Sequence, residues 1–160
     1  MAIEHDYFGI IGDYWSERVP AGDQDVEVVV DADPATVSMD ALDIAAGMIV
    51  ELEVLDAEAR EAFVSELASG SSATSAFVAA LLEQLDADTL ADAVDRESGD
   101  AQIDVLRSLE LLRVDIRPGN DGDEEAFASF EYALAPDETD VRIVAILDAR
   151  AEVVSVDAQL

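Results

Sequence analysis

The sequence predicts an α+β fold: an antiparallel sheet, built from an N-terminal hairpin and a C-terminal four-strand meander, packed against a central helical block as a two-layer sandwich. Three observations carry this expectation. Apolar residues alternate at both ends of the chain, they recur at helical spacing in the middle, and turn-forming clusters separate the last four apolar runs. A chain of 160 residues suits one domain, able to bury roughly two-thirds of its unfolded surface. A single domain over 1–160 is therefore expected, with the hairpin in 1–33, the helices in 38–108 and the meander in 110–160.

The hairpin rests on "DYWSERV" and "DVEVVVDAD", which flank "VPAGD". Pro20 and Gly22 suit the second and fourth positions of a type I turn. Val26, Val28 and Val30 alternate with Glu27, Val29 and Asp31, giving one apolar face. The helical block opens at Ser38, a good N-cap, with Asp40 in the first turn where the helix dipole favours an acid. Leu42, Ala45, Ala46, Ile49 and Leu52 form a stripe. Asp56 can cap a second helix carrying Ala59, Phe63 and Leu67. After the break around Gly70, a third helix places Phe77, Val78, Leu81, Leu82 and Leu85 on one face. Shorter helical turns fit Leu90 to Val94 and Ile103 to Leu106.

From Glu110 the period returns to two. Leu112, Val114 and Ile116 share a face, as do Phe130, Tyr132 and Leu134, and "DVRIVAIL" and "AEVVSVDA" form the final pair. The turns are "PGNDGDEE", "APDETD" and "DARA", the last with alanine where such hairpins often place glycine. Val153 and Val156 are read on opposite faces of the last strand. As an open edge that strand would support a homodimer.

Composition narrows the function. The 38 acidic residues face eight bases, all of them arginine, for a formal charge of −30. A nucleic-acid binder needs cations to displace the counterions of the phosphates, so DNA and RNA are not expected partners. Anionic membranes are disfavoured for the same reason. The charge favours solubility, tolerance of salt and attraction to a basic protein. The lysine-free, Asp- and Ala-rich composition also fits a GC-rich genome and salt adaptation. Without cysteine there are no disulfides, thiol chemistry or thiolate metal sites. The N-terminus lacks the basic-then-apolar pattern of a signal peptide and no stretch is long enough to span a membrane, so the cytoplasm is the expected location.

The residues able to carry chemistry gather in "EHDYFGIIGDYWSE", which holds the only histidine and the only tryptophan. A candidate pocket there would use His5, Asp6, Tyr7, Tyr14 and Trp15, with a carboxylate orienting the imidazole as a general base. Against this, strand periodicity sends His5 and Asp6 to opposite faces and pairs His5 with Tyr7. Phe8 and Trp15 then anchor the strand as packing mass. The serines of "SGSSATS" lie between helices, with one histidine in the chain to activate any of them and no nucleophile elbow. "GNDGDEE", around Asn120 to Glu125, has a calcium-loop composition but not its spaced ligands, and reads as a solvated turn. Neither "GIIG" at Gly9 to Gly12 nor the Gly119/Gly122 pair matches a phosphate loop. No metal site, no cofactor and no catalytic residue is expected. Glu51, Glu53, Glu58, Glu61 and Glu66 could present an acidic helical face to a basic partner.

Four stretches together resemble a known family: "HDYFG" at His5 to Gly9, "DVEVVVDADPATVSMDALDIAAGMI", "LDAEAREA" and "DETDVRIVAILDARAEVVSV". They are similar to a bacterial family catalogued as domain of unknown function number two thousand and four. The resemblance spans nearly the whole chain. It implies a small stand-alone domain with a sheet layered on helices, and it implies no activity, so no catalytic residue carries over. A histidine within a shared motif implies a role for His5 that packing alone does not demand.

The expected function is non-catalytic protein binding, for which an acidic inhibitor or immunity-type protein masking a basic enzyme is one concrete form. The rival expectation is a small-molecule-binding protein or enzyme with its pocket near His5 and Trp15.

Overall fold

The computed structural model describes residues 3–12, 14–22, 24–32, 37–118 and 126–160. In chain order the elements are β1 (Ile3–His5), β2 (Gly9–Ile11), β3 (Tyr14–Ala21), β4 (Gln24–Asp31), α1 (Met39–Val50), α2 (Leu52–Glu66), α3 (Ala73–Gln84), α4 (Ala87–Ala93), α5 (Ala101–Arg107), β5 (Glu110–Ile116), β6 (Ala128–Ala133), β7 (Arg142–Leu147) and β8 (Val153–Gln159). The fold is α+β. A six-stranded sheet of order β3-β4-β5-β6-β7-β8 lies against the helices, and β1 and β2 form a separate two-stranded hairpin.

The sheet is mixed rather than wholly antiparallel. The meander β5–β8 is antiparallel throughout, but β4 and β5 run parallel, with Val28 opposite Val114 and Val30 opposite Ile116. Parallel neighbours need a long crossover. The whole helical block supplies it, which is how the N-terminal hairpin and the meander become one sheet.

The inner face carries Val26, Val28, Val30, Val114, Ile116, Phe130, Tyr132, Ile143 and Ala145, all buried. Helix α2 crosses this face and reaches both edge strands, β3 and β8. Its N-terminal turn lies by the β3–β4 turn, where the Glu53 side chain stands 3.7 Å from the position of a Cβ on Gly22. In α1 the predicted stripe is buried, and Ser38 Oγ accepts the Ala41 N–H at 3.1 Å.

Several local expectations are corrected. Pro20 is not in a turn: it lies within β3 opposite Asp25, and an edge strand tolerates its missing donor. The chain reverses after Ala21, where Gly22 takes a positive φ of 62°. "HDYFG" is not the start of the main sheet but the bend of the β1–β2 hairpin, closed by Gly9 at φ 69°. Asp56 does not cap α2, which begins at Leu52; it is buried inside the helix. A bulge at Leu112 puts Leu111, rather than Leu112, on the buried face opposite Tyr132. A second bulge, at Val154, places Val153 and Val156 on the same side, both packed against the core. Leu82 is 44% exposed and leaves the core face of α3. The acidic turn at 119–125 lies outside the described residues.

Candidate functional site

The β1–β2 hairpin sets His5 on the outside of α1. Its ring is 5% exposed, and Nε2 lies 2.7 Å from Asp43 Oδ1. The other nitrogen, Nδ1, is 3.1 Å from the Tyr7 backbone nitrogen. A backbone N–H can only donate, so Nδ1 accepts and Nε2 carries the proton given to Asp43. The imidazole is thereby held in one tautomer by two partners. The Asp43 side chain is 69% exposed, so the pair has a buried ring and a solvated carboxylate.

Around it the rings meet in tilted and edge-to-face contacts. His5 and Phe8 have centroids 5.1 Å apart, Phe8 and Trp15 meet edge-to-face at 5.0 Å, and Tyr7 contacts both Phe8 and Trp15. Burial, and secondarily the negative charge of Glu17, push the Tyr7 hydroxyl pKa above its ordinary value. Of the five residues singled out in the sequence, the structure brings together His5, Tyr7 and Trp15. Asp6 is exposed, and Tyr14 sits 62% exposed opposite Asp31, on the strand face away from Trp15. Asp43, the actual carboxylate partner, escaped sequence reasoning because it lies 38 positions away in another element.

Chemically this is a His–carboxylate pair with no free basic nitrogen. A general base must offer a lone pair to a substrate proton, and the Nδ1 lone pair is already spent on Tyr7. The arrangement clamps the hairpin to α1.

A second polar cluster lies largely buried between α2 and the sheet. The Tyr132 hydroxyl donates to Asp56 Oδ1 at 2.7 Å, Arg60 Nε donates to the same oxygen at 3.0 Å, and the Arg60 guanidinium lies 5.3 Å over the Tyr132 ring. Burial, then the Asp56 charge and hydrogen bond, hold the Tyr132 hydroxyl well above the ordinary tyrosine pKa. The cluster fastens α2 to β6. No buried side-chain nitrogen or oxygen lacks a partner among the described residues.

Cavities open elsewhere among the described residues. One, of about 420 Å³, lies where α3, α4 and α5 meet, with Leu82, Leu90, Val94 and Val105 as its apolar walls and Arg96 and Asp104 as its polar side. Another, of about 340 Å³, lies on the outer sheet face beside Arg113 and Asp115. There Asp115 takes both Nε and Nη2 of Arg113 at 2.9–3.1 Å, and this hydrogen-bonded carboxylate raises the guanidinium pKa further. That cation is thus neutralised in place.

The helical layer distributes charge unevenly. Asp40, Glu51, Glu53, Glu58 and Glu61 are exposed on α1, α2 and the junction between them. Arg60 is the only base in these two helices, and it turns inward to Asp56 and to the carbonyl oxygen of Arg107. Among the described residues no group of three His, Cys, Asp or Glu side chains is placed to hold a metal ion, and no helix is long and apolar enough to cross a membrane. No protein-family model, curated protein or solved structure matches the chain.

Proposed function

We propose that the protein works by binding, and that its partner is a basic protein docked on the carboxylates of the helical layer. One observation carries this reading: Asp40, Glu51, Glu53, Glu58 and Glu61 face solvent on α1, α2 and their junction, while the single arginine of these helices is drawn toward the buried Asp56. Acids therefore outnumber bases on the exposed faces of these two helices, a balance that speeds encounter with a positive patch and repels acidic competitors. The closed His5 ring supports binding over catalysis, since its basic nitrogen is occupied. An inhibitor that masks a basic enzyme is the concrete form this function would take.

The test must separate a docking face from a charge that serves the whole molecule. Two variants remove equal charge: Glu51→Gln with Glu58→Gln and Glu61→Gln on the helical side, and Asp25→Asn with Glu27→Gln and Asp157→Asn on the sheet side. Capture from lysate at about 0.1 M and about 1 M salt shortens the screening length from about 10 Å to about 3 Å. The expected result is one discrete basic protein held by the wild type and the sheet-side variant, lost at high salt, and weakened about tenfold by the helical-side variant. Equal retention by both variants, or no retained protein, would sink the reading.

A further inference from the structure

We infer that the cavity between α3, α4 and α5 is the anchoring point of this interface, taking an apolar side chain from a basic segment of the partner. The inference rests on the reading of a basic partner and adds where the partner is gripped and by what chemistry.

The cavity is built for an apolar group. Its walls are Leu82, Leu90, Val94 and Val105, and Leu82 leaves the core stripe of α3 to face it. Its volume of about 420 Å³ falls in the roughly 300–1,000 Å³ span of preformed small-ligand sites. It therefore accepts a leucine- or phenylalanine-sized side chain with room to spare. The segment between α4 and α5 that borders it is tied down by hydrogen bonds. Asp95 N–H donates to Ser108 Oγ at 2.9 Å, and Ser98 N–H donates to Asp104 Oδ1 at 3.0 Å. Asp100 caps α5 through the N–H groups of Gln102 and Ile103. A mouth fixed in this way needs little further ordering when a ligand enters.

Charge selects the occupant. Asp95, Glu97 and Asp100 are exposed in the segment that forms the rim, and Asp104 lies in the lining itself. The hydrogen bonds from Ser98 hold the Asp104 carboxyl below the usual range, so it stays ionised. Arg96 is the one cation of the lining, outnumbered by these acids. An apolar residue flanked by arginine or lysine satisfies both walls and rim, whereas one flanked by acids satisfies only the walls.

The experiment uses the full chain and three fluorescein-labelled probe peptides, Arg-Arg-Phe-Arg-Arg, Arg-Arg-Gly-Arg-Arg and Glu-Glu-Phe-Glu-Glu, read by anisotropy at about 0.15 M salt. The phenylalanine-centred basic peptide is expected to bind about tenfold tighter than its glycine counterpart, and the acidic peptide not at all. Ala101→Trp, at an exposed position in the lining, should fill the mouth and abolish the preference for phenylalanine while leaving the glycine peptide unchanged. Equal binding of the two basic peptides overturns the anchor, as does an unaffected preference in Ala101→Trp or tighter binding of the acidic peptide. If the basic peptides bind equally and the helical-side variant weakens both, the anchor fails while the basic-partner reading stands. If no peptide binds, the anchor fails and capture from lysate decides the broader reading.

Discussion

A single hydroxyl shows how much one buried polar atom can carry in this fold. Tyr132 sits on the innermost strand face, and its only polar atom finds Asp56 at 2.7 Å on the helix above. Removing that hydroxyl leaves Asp56 with Arg60 as its remaining donor, so Tyr132→Phe should cost about 1–2 kcal/mol in urea denaturation. The same bond makes stability depend on pH. The folded hydroxyl is held well above its ordinary value of 10.0, so the neutral form is favoured in the fold. Its contribution is complete below that value and is lost as pH rises through and beyond it. The wild type should therefore lose stability steeply above about pH 10, and Tyr132→Phe should lose distinctly less over the same interval. Parallel pH profiles for the two proteins would show that the hydroxyl is not the group responsible. His5 is the contrasting case, since its ring is tied by Asp43 and Tyr7 rather than by a core neighbour. Sequence periodicity put the ring next to Tyr7 and could not see Asp43, because spacing along a strand carries no information about which helix covers it.

At the scale of elements, the β7–β8 hairpin turns through a residue that chirality disfavours. Ala151 has φ 63°, its N–H donates to the Asp148 carbonyl at 3.0 Å, and Asp148 Oδ1 accepts the N–H groups of Arg150 and Glu152. The left-handed region costs an L-residue about 1–2 kcal/mol, and the Asp148 side chain offsets this by organising the turn. Ala151→Gly should relieve the strain, less the backbone freedom that glycine brings to the unfolded chain, for a net gain of about 0.5 kcal/mol. Ala151→Val, with a branched Cβ in the same conformation, should lose about 1–2 kcal/mol. Opposite shifts of the urea midpoint at constant slope are the signature, and a loss from both substitutions would place the turn's stability elsewhere. The alanine of "DARA" was legible as an anomaly, but only the backbone shows that it bears the positive φ. Other elements divide in the same way. Alternation in "DVEVVV" and "SFEYAL" revealed the buried faces correctly, because a half-buried strand writes its period into the chain. The bulges at Leu112 and Val154 were invisible, since one inserted residue reverses the face of every residue beyond it without changing composition. Pairing direction was equally hidden: an apolar strand reads the same beside a parallel or an antiparallel neighbour. Leu82 looked like core for want of any signal that its side of α3 faces the open cavity beside α4 and α5.

The whole molecule carries a formal charge of −30 on 8478 Å² of accessible surface, and few of its acids are neutralised by neighbours. The ion pairs that do form are short-range and local, as between Arg60 and Asp56 or Arg113 and Asp115. Salt therefore acts on two opposing quantities. It weakens the few attractions, which are half-sheltered and close, and it screens the many repulsions, which are exposed and spread over distances longer than a Debye length at high salt. The second should dominate because compaction brings the repelling charges together, whereas the unfolded chain spreads them apart. Raising sodium chloride from about 0.05 M to about 1 M should lift the thermal midpoint by about 5–10 °C, the shift of a domain this size that gains roughly 2–3 kcal/mol. The variant carrying Glu51→Gln, Glu58→Gln and Glu61→Gln starts with less repulsion, so its midpoint at low salt should be higher and its response to salt smaller. A flat or falling midpoint would mean that local pairs outweigh the surface field, and the acidic helical face would then have to be explained by its contacts alone.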